Sequence, residues 1–221
     1  MTRVAGTQGY DQDVAAFFER SENVAFADKH AAVLSVHPAP PARILDIGAG
    51  SGRDAADFAN LGHTVLAVEP TPALLAGAIA HHDHPAITWL DDSLPDLSAV
   101  LARGETFDLV LLSAVWMHLD EDERRRAMPN LSALLAERGV LILSLRHGPV
   151  PPGRRMFAVA ATETIALAQA ADLRILVHET QDSIQPANRL AGVTWTILAF
   201  QAENAADRTR QAATFTALSP L

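Results

Sequence analysis

The chain has 221 residues, of which 49% are hydrophobic, and a formal net charge of −9 from 17 basic and 26 acidic side chains. That length and apolar content suit one substantial domain rather than two. An acidic chain with one lysine, Lys29, argues against broad nucleic-acid binding through phosphates. The absence of cysteine excludes disulfides, thiolate metal sites and a cysteine nucleophile. No apolar run reaches the roughly 18 residues of a membrane span, and the N-terminus lacks a basic-then-apolar signal, so the expectation is a soluble, cytoplasmic protein without a membrane partner.

Residues 1–9 are small and polar and are expected to fray. Residues 10–18 (YDQDVAAFF) read as a helix start with Val14, Phe17 and Phe18 on one face, and a second helical pattern runs from about 23 to 36. The HPAPP run at 37–41 is a stiff linker that ends it. Residues 43–70 then read RILDIGAGSGRDAADFANLGHTVLAVEP. Ile44, Leu45 and Ile47 form a buried strand, Gly48, Gly50 and Gly52 alternate with Ala49 and Ser51, a helix follows to Gly62, and an apolar strand closes on Glu69. Strand, glycine loop, helix, strand and acid make the first half of a nucleotide-binding α/β unit. Gly48 and Gly50 permit close approach of a ligand to the main chain. The spacing from Gly52 to Glu69 is 69 − 52 = 17 residues, near the roughly 20 such a unit requires, and lets the carboxylate meet both hydroxyls of a ribose.

The loop is G-A-G-S-G preceded by Asp46, not the G-x-G-x-x-G of dinucleotide binders. In this the sequence resembles the class I S-adenosylmethionine (SAM)-dependent methyltransferases, whose first motif has an acid in the strand, G-x-G-x-G, and an acid ending the next strand. The matching positions are Asp46, Gly48, Gly50, Gly52 and Glu69, with Ala49 inside the loop and Pro70 directly after the acid. The resemblance implies a Rossmann-like, doubly wound α/β fold: a seven-stranded sheet of order 3-2-1-4-5-7-6, strand 7 antiparallel, and helices on both faces. It also implies SAM as cofactor, S-adenosylhomocysteine (SAH) as product, and N-terminal helices over the pocket. The expected division is a helical cap at 1–41, a SAM-binding core at 42–201 and a tail at 202–221.

Beyond Glu69 a helix opens at Pro70–Pro72, and the HHDH cluster at 81–84 reads as a polar loop rather than a metal site. The third strand, 86–90, ends on Asp91, Asp92 and Ser93 before Leu94-Pro95. In the resembled family an acid here binds the adenine amino group. Strand alternation lets only one of the pair face a pocket, and Asp92 is favoured. A short helix spans 97–103. The fourth strand is 107–113, and a helix follows in which Arg124–Arg126 form a solvated face, Pro129 kinks or restarts the helix, and Gly139 ends it. The fifth strand is 140–145, a helix covers 157–171, and the sixth and seventh strands are 173–177 and 193–200. About fifteen residues separate the last two, short for an ordinary helical crossover, so they are expected to pair antiparallel.

The resemblance places Ser113 beside the cofactor. His118 and His147, at strand ends and able to titrate near neutral pH, are the candidate bases. Tyr10, Trp116, His118 and Arg146 are candidate acceptor contacts, Trp116 by shielding the sulfonium and Arg146 by binding an anionic group. The expected activity is methyl transfer to a small-molecule acceptor by in-line displacement. The alternatives are an NAD-type oxidoreductase and a non-catalytic SAM-binding module. Neither the acceptor atom nor an oligomeric state has a readable signature in the sequence.

Overall fold

The structure is a computed structural model that describes residues 4–12 and 14–203. Seven strands form one sheet in the order β3-β2-β1-β4-β5-β7-β6. β1 (Arg43–Ile47), β2 (Thr64–Val68), β3 (Ile87–Leu90), β4 (Phe107–Leu112) and β5 (Leu135–His147) pair in parallel. β7 (Thr194–Ala202) runs antiparallel to both β5 and β6 (Leu173–Asp182). Eleven residues separate β6 from β7 (194 − 182 − 1), enough for the five-residue helix Pro186–Leu190 but not for a crossover. The expected strand order and the reversed last strand are both present.

Central strands are covered on both faces, which is why β1, β2 and β4 are nearly continuous apolar runs. Leu45, Val110, Leu141 and Leu198 pack on one side with helix-borne Val100, Ala127, Met128 and Ala168. Ile44, Val65, Leu109 and Ile142 pack on the other with Val33, Ala55, Phe58 and Ala59. The helices are α1 (Val14–Glu22), α2 (Phe26–His30), α3 (Arg53–Asn60), α4 (Pro72–His81), α5 (Ser98–Leu101), α6 (Glu121–Ala133), α7 (Ala161–Ala170) and α8 (Pro186–Leu190).

Several expectations are corrected. Residues 4–9 are not a frayed end: Ala5–Thr7 forms a 3-10 turn, and Gly6 lies so close to His118 that a Cβ on it would sit 3.4 Å from that side chain. The pattern at 23–36 resolves into α2 and a separate 3-10 turn, Leu34–Val36. α6 runs unbroken through Pro129, whose ring is on the exposed face, while Ala127, Met128 and Leu131 anchor the buried one. Tertiary packing and the Asp120–Glu123 capping box outweigh the lost backbone bond. Arg124 is not solvated: it is 3% exposed and pairs with Glu163 at 2.8 Å. Gly139 does not end α6 but lies in an irregularity of β5, where a Cβ would meet the Phe107 carbonyl at 2.8 Å. Residues 157–160 precede α7 instead of joining it, because the Phe157 amide donates to the Met117 carbonyl at 2.8 Å. The expected tail lies outside the described residues from 204 onward.

On the α3 side, the fully buried Phe58 is ringed by Phe26, His37 and His63 at centroid distances of 5.1, 5.4 and 5.7 Å. Phe58→Ala should cost about 3–5 kcal/mol in urea unfolding. Burial, then the neighbouring His30 and His63, lowers the His37 pKa to about 4. Folded His37 therefore stays neutral while the unfolded chain takes up a proton below its ordinary value of 6.5. The unfolded state binds more protons, so this contribution to stability is lost as pH falls from about 6.5 toward 4. The urea midpoint of the wild type should drop between pH 7.5 and 5.5, and that of His37→Gln should drop less.

Candidate active site

Between β1 and α3 the chain must turn sharply and leave its peptide groups bare. Gly48, Gly50 and Gly52 adopt φ of +73°, +61° and +86°. A Cβ on Gly48 would lie 2.5 Å from Val115 Cγ2, and one on Gly52 would lie 2.5 Å from Trp89 Cη2. The loop is held from beneath: the Gly48 and Ala49 amides both donate to the Val68 carbonyl, at 2.8 and 2.9 Å. α1 lays Phe17 over it, with the ring edge 3.1 Å from where a Gly50 Cβ would be.

Glu69, 4% exposed, follows β2 at the same sheet edge. Its Oε2 accepts from the Gly50 amide at 2.9 Å and its Oε1 from the Thr71 amide at 2.8 Å. Burial pushes its pKa up, the Thr71 and Gly50 hydrogen bonds pull it back, and Asp91 adds an upward push. Asp46, 2% exposed, is different: its Oδ2 has no hydrogen-bond partner. Burial, reinforced by nearby Asp54, raises its pKa to about 7. Asp54 itself is ionised and held well below the usual carboxylate range. It pairs with Lys29, with Arg53 at 2.8 Å and with the His30 ring at 3.6 Å.

Two cavities flank the glycine loop and share Phe17, Gly48, Gly50, Ser113 and Ala114 as wall. The larger, about 270 Å³, runs from Asp46, Ala49 and Arg53 across Ser144 to Trp195 and the β6–β7 connection. The smaller, about 160 Å³, is bounded by Glu69, Pro70, Ser93 and Leu94 on one side and Tyr10 and His118 on the other.

The candidate residues divide accordingly. Asp46, Gly48, Ala49, Gly50, Glu69, Pro70, Ser93 and Ser113 line one or both cavities, as do Tyr10 and His118. Gly52 lies behind the loop as the N-cap of α3. Asp92, the favoured acid, lines neither cavity: its carboxylate accepts from the Ser93, Ala99 and Val100 amides at 2.8–2.9 Å and ties down the start of α5. Asp91, exposed at the same strand end, also lines neither cavity. Trp116 is not a pocket wall: it is fully buried, and its indole donates to Thr164 Oγ1 at 3.1 Å. His147 turns to Thr196 Oγ1 at 2.8 Å, on β7, and Arg146 donates to the Pro149 carbonyl at 2.8 Å. Neither lines a cavity.

His118 has both ring nitrogens engaged. A carbonyl only accepts, so Nδ1 donates to the Arg155 carbonyl at 2.7 Å, and the neutral Nε2 accepts from the Tyr10 hydroxyl at 2.9 Å. Burial lowers the His118 pKa, and Arg154, Arg155 and Arg146 lower it further against the upward pull of the Arg155 carbonyl. Burial raises that of Tyr10, whose ring lies 3.5 Å beneath the Arg154 guanidinium. Among the described residues no cluster of three or more potential metal ligands occurs.

Sequence reasoning missed Lys29, Arg53 and Asp54. Arg53-Asp54 directly after the glycine loop was an available signal, but an acid in a helix's first turn is satisfied by the macrodipole alone. Ser144, Gln181 and Trp195 had no local signal, because only strand pairing brings them to one face.

Residues 44–139 match a family model described as a methyltransferase domain. The fold carries the match beyond that segment. Residues 44–139 are thus similar to a methyltransferase domain, and the seven-stranded sheet around them has the order of the methyltransferase Rossmann-like fold. No curated protein matches it. Among solved structures, Burkholderia thailandensis 1,6-didemethyltoxoflavin-N1-methyltransferase, with its namesake ligand and SAH bound, superimposes with a TM-score of 0.66 at 22% identity, over 88% of this chain and 87% of that one. The N-methyltransferase NodS of Bradyrhizobium japonicum, with SAH, gives 0.66 at 18% identity, over 88% and 97%. Magnesium protoporphyrin IX methyltransferase of Synechocystis, with SAM, gives 0.60 at 16%, over 88% and 84%. Each of these three structures holds the cofactor SAM or its product SAH. The residues present in this chain fit SAM, since a buried carboxylate oxygen without a partner stands beside bare loop peptides. The sheet departs from the 3-2-1-4-5-6 order of the dinucleotide fold by placing β7 antiparallel between β5 and β6, which disfavours the NAD-type alternative. Among the described residues no helix is long and apolar enough to cross a membrane.

Gly48→Ala should destabilise by about 1–3 kcal/mol through the Val115 clash and the positive φ. Adding Val115→Ala should recover the part due to the clash, which a double-mutant cycle in urea will show as favourable coupling.

Proposed function

We propose that the protein is a SAM-dependent methyltransferase that acts on a small-molecule acceptor, bound in the larger cavity against the methyl group of SAM. The observation that carries the reading is the unpartnered Asp46 Oδ2 beside the glycine loop, with Glu69 at the same sheet edge. When bound, SAM supplies a methyl group on a sulfonium: an acceptor lone pair forms the new bond to carbon as the carbon–sulfur bond breaks, its electron pair goes to sulfur, and the acceptor's proton leaves to solvent.

The chain's own residues hold and shield these partners. Asp46 would accept from the cofactor's ammonium, with Gly48, Ala49 and Gly50 available to its amino-acid end. Glu69 would accept from the ribose hydroxyls through the lone pairs left free by its two amide donors. Pro70, Ser93 and Leu94 would flank the base, and Asp91, rather than Asp92 with its three amide donors, would be the acid free to turn to its amino group. Ser113 and Ala114 separate the two cavities where the methyl would cross. Phe17 and the segment before residue 41 form the cap that excludes water. His118 is a positioning residue: Tyr10 occupies the Nε2 lone pair a base would use. The rate enhancement then comes from alignment and dehydration rather than from proton abstraction. The small-molecule solved neighbours support the acceptor class, since the Burkholderia enzyme is named for, and holds, a small heterocycle.

Calorimetry with SAM, SAH and NAD tests the reading: SAM and SAH should bind, and binding of NAD alone would reject it. Glu69→Gln should weaken SAH at least tenfold. Ionised Asp46 attracts the ammonium and protonated Asp46 does not, so SAH affinity should rise as pH is raised through about 7. Asp54 and Glu69 push this titration up, while Lys29 and Arg53 pull it down. Asp46→Asn should bind more weakly at pH 8 and lose the pH dependence.

A further inference from the structure

The larger cavity has two chemically distinct ends. Its ionisable lining residues, Lys29, His30, Asp46, Arg53 and Asp54, all gather at the glycine-loop end. There the two cations are already bonded to Asp54, so neither is free for an anionic ligand. The far end is lined by Gln181, Ser183, Gln185, Asn188, Trp195 and Ile197, with no ionisable group among them. Arg146 stands opposite Trp195 in the β5–β7 ladder, but it lies outside the cavity lining and donates to the Pro149 carbonyl.

A charge entering this end would lose water without gaining a counter-charge. A neutral polar edge meets the opposite treatment. The Ser183 hydroxyl, on a residue 2% exposed, and the Gln181 carboxamide hydrogen-bond to none of the described residues. Asn188 Nδ2 donates to Gln185 Oε1 at 2.8 Å, which leaves an N–H on Gln185 and a carbonyl on Asn188. Reversing both amides leaves the same complement, one donor and one acceptor. These donors and acceptors, half-buried at Gln181, Gln185 and Asn188, line one end of the cavity and match a ligand edge that alternates acceptor and donor. Trp195 contributes a flat wall at this end, and Phe17 another nearer the loop.

We infer that the acceptor is an uncharged, planar heterocycle bearing a lactam or imide edge, recognised by Gln181, Ser183 and the Gln185–Asn188 pair. This rests on the reading of the larger cavity as the acceptor site. It adds that the β6–β7 connection selects by hydrogen bonding and rejects carboxylate- and phosphate-bearing acceptors by leaving them without a counter-charge.

The test is calorimetry at pH 7 on the full chain, first with SAH and then, on SAH-saturated protein, with lumazine (pteridine-2,4-dione) and with lumazine-6-carboxylate as probes. Lumazine should bind, and the carboxylate at least tenfold more weakly. Gln181→Ala and Gln181→Ala/Asn188→Ala should each weaken lumazine, the pair at least tenfold, with SAH affinity kept within twofold as the control for folding. Equal binding of the two probes, no binding of lumazine to the SAH complex, or unchanged lumazine affinity in the double variant would overturn the inference while leaving methyl transfer standing. Failure of SAH to bind the wild type would overturn both.

Discussion

The site depends on one short stretch of backbone pinned at several points. The Val68 carbonyl takes two amides of the glycine loop, and Glu69 takes the Gly50 amide a residue further on. The end of β2 thus fixes the shape of the β1–α3 turn, and the turn fixes where Glu69 stands. Because Val115 and Trp89 press against Gly48 and Gly52, a side chain on either glycine would collide with its neighbour. The loop's bare peptide is a consequence of packing from outside as much as of glycine's freedom within.

Charge is arranged around this turn with equal economy. Asp54 gathers Lys29, Arg53 and His30, and that cluster ties α2 to the first turn of α3. Asp46, buried nearby, is left with an oxygen facing nothing. A buried acid without a donor is costly in the free protein, which is why its proton affinity rises. The same deficit is what a cationic group entering the cavity would relieve. Protonation and such a group would compete for one atom. At the opposite end of the larger cavity the polar lining is amide and hydroxyl, so its two ends differ in chemistry.

The N-terminal segment closes the structure over both cavities. Phe17 covers the loop, and the Tyr10 hydroxyl reaches His118 across 108 residues of sequence. His118 is held from its other side by the Arg155 carbonyl, and Arg155 in turn pairs with Asp120 and Glu123 at the start of α6. The first residues of the chain are thus coupled to the helix after β4, through a histidine whose two nitrogens are both engaged.

Much was legible in the sequence because it was written locally. Three alternate glycines between apolar runs have few structural uses other than a bare turn, and the acid at the end of the next strand follows from strand length. The hairpin of β6 and β7 followed from a connection too short for a crossover, whereas the strand order came from the family resemblance alone. What tertiary structure decided was the partner of each polar side chain. Asp91 and Asp92 are neighbours with the same chemistry, and only the position of α5 determines which one is consumed by backbone amides. Trp116 and Arg124 read as surface or pocket residues until Thr164 and Glu163, some forty residues later, arrive beside them. Local sequence governs backbone conformation through sterics and hydrogen-bond spacing, whereas burial and pairing depend on which distant segments the sheet brings together.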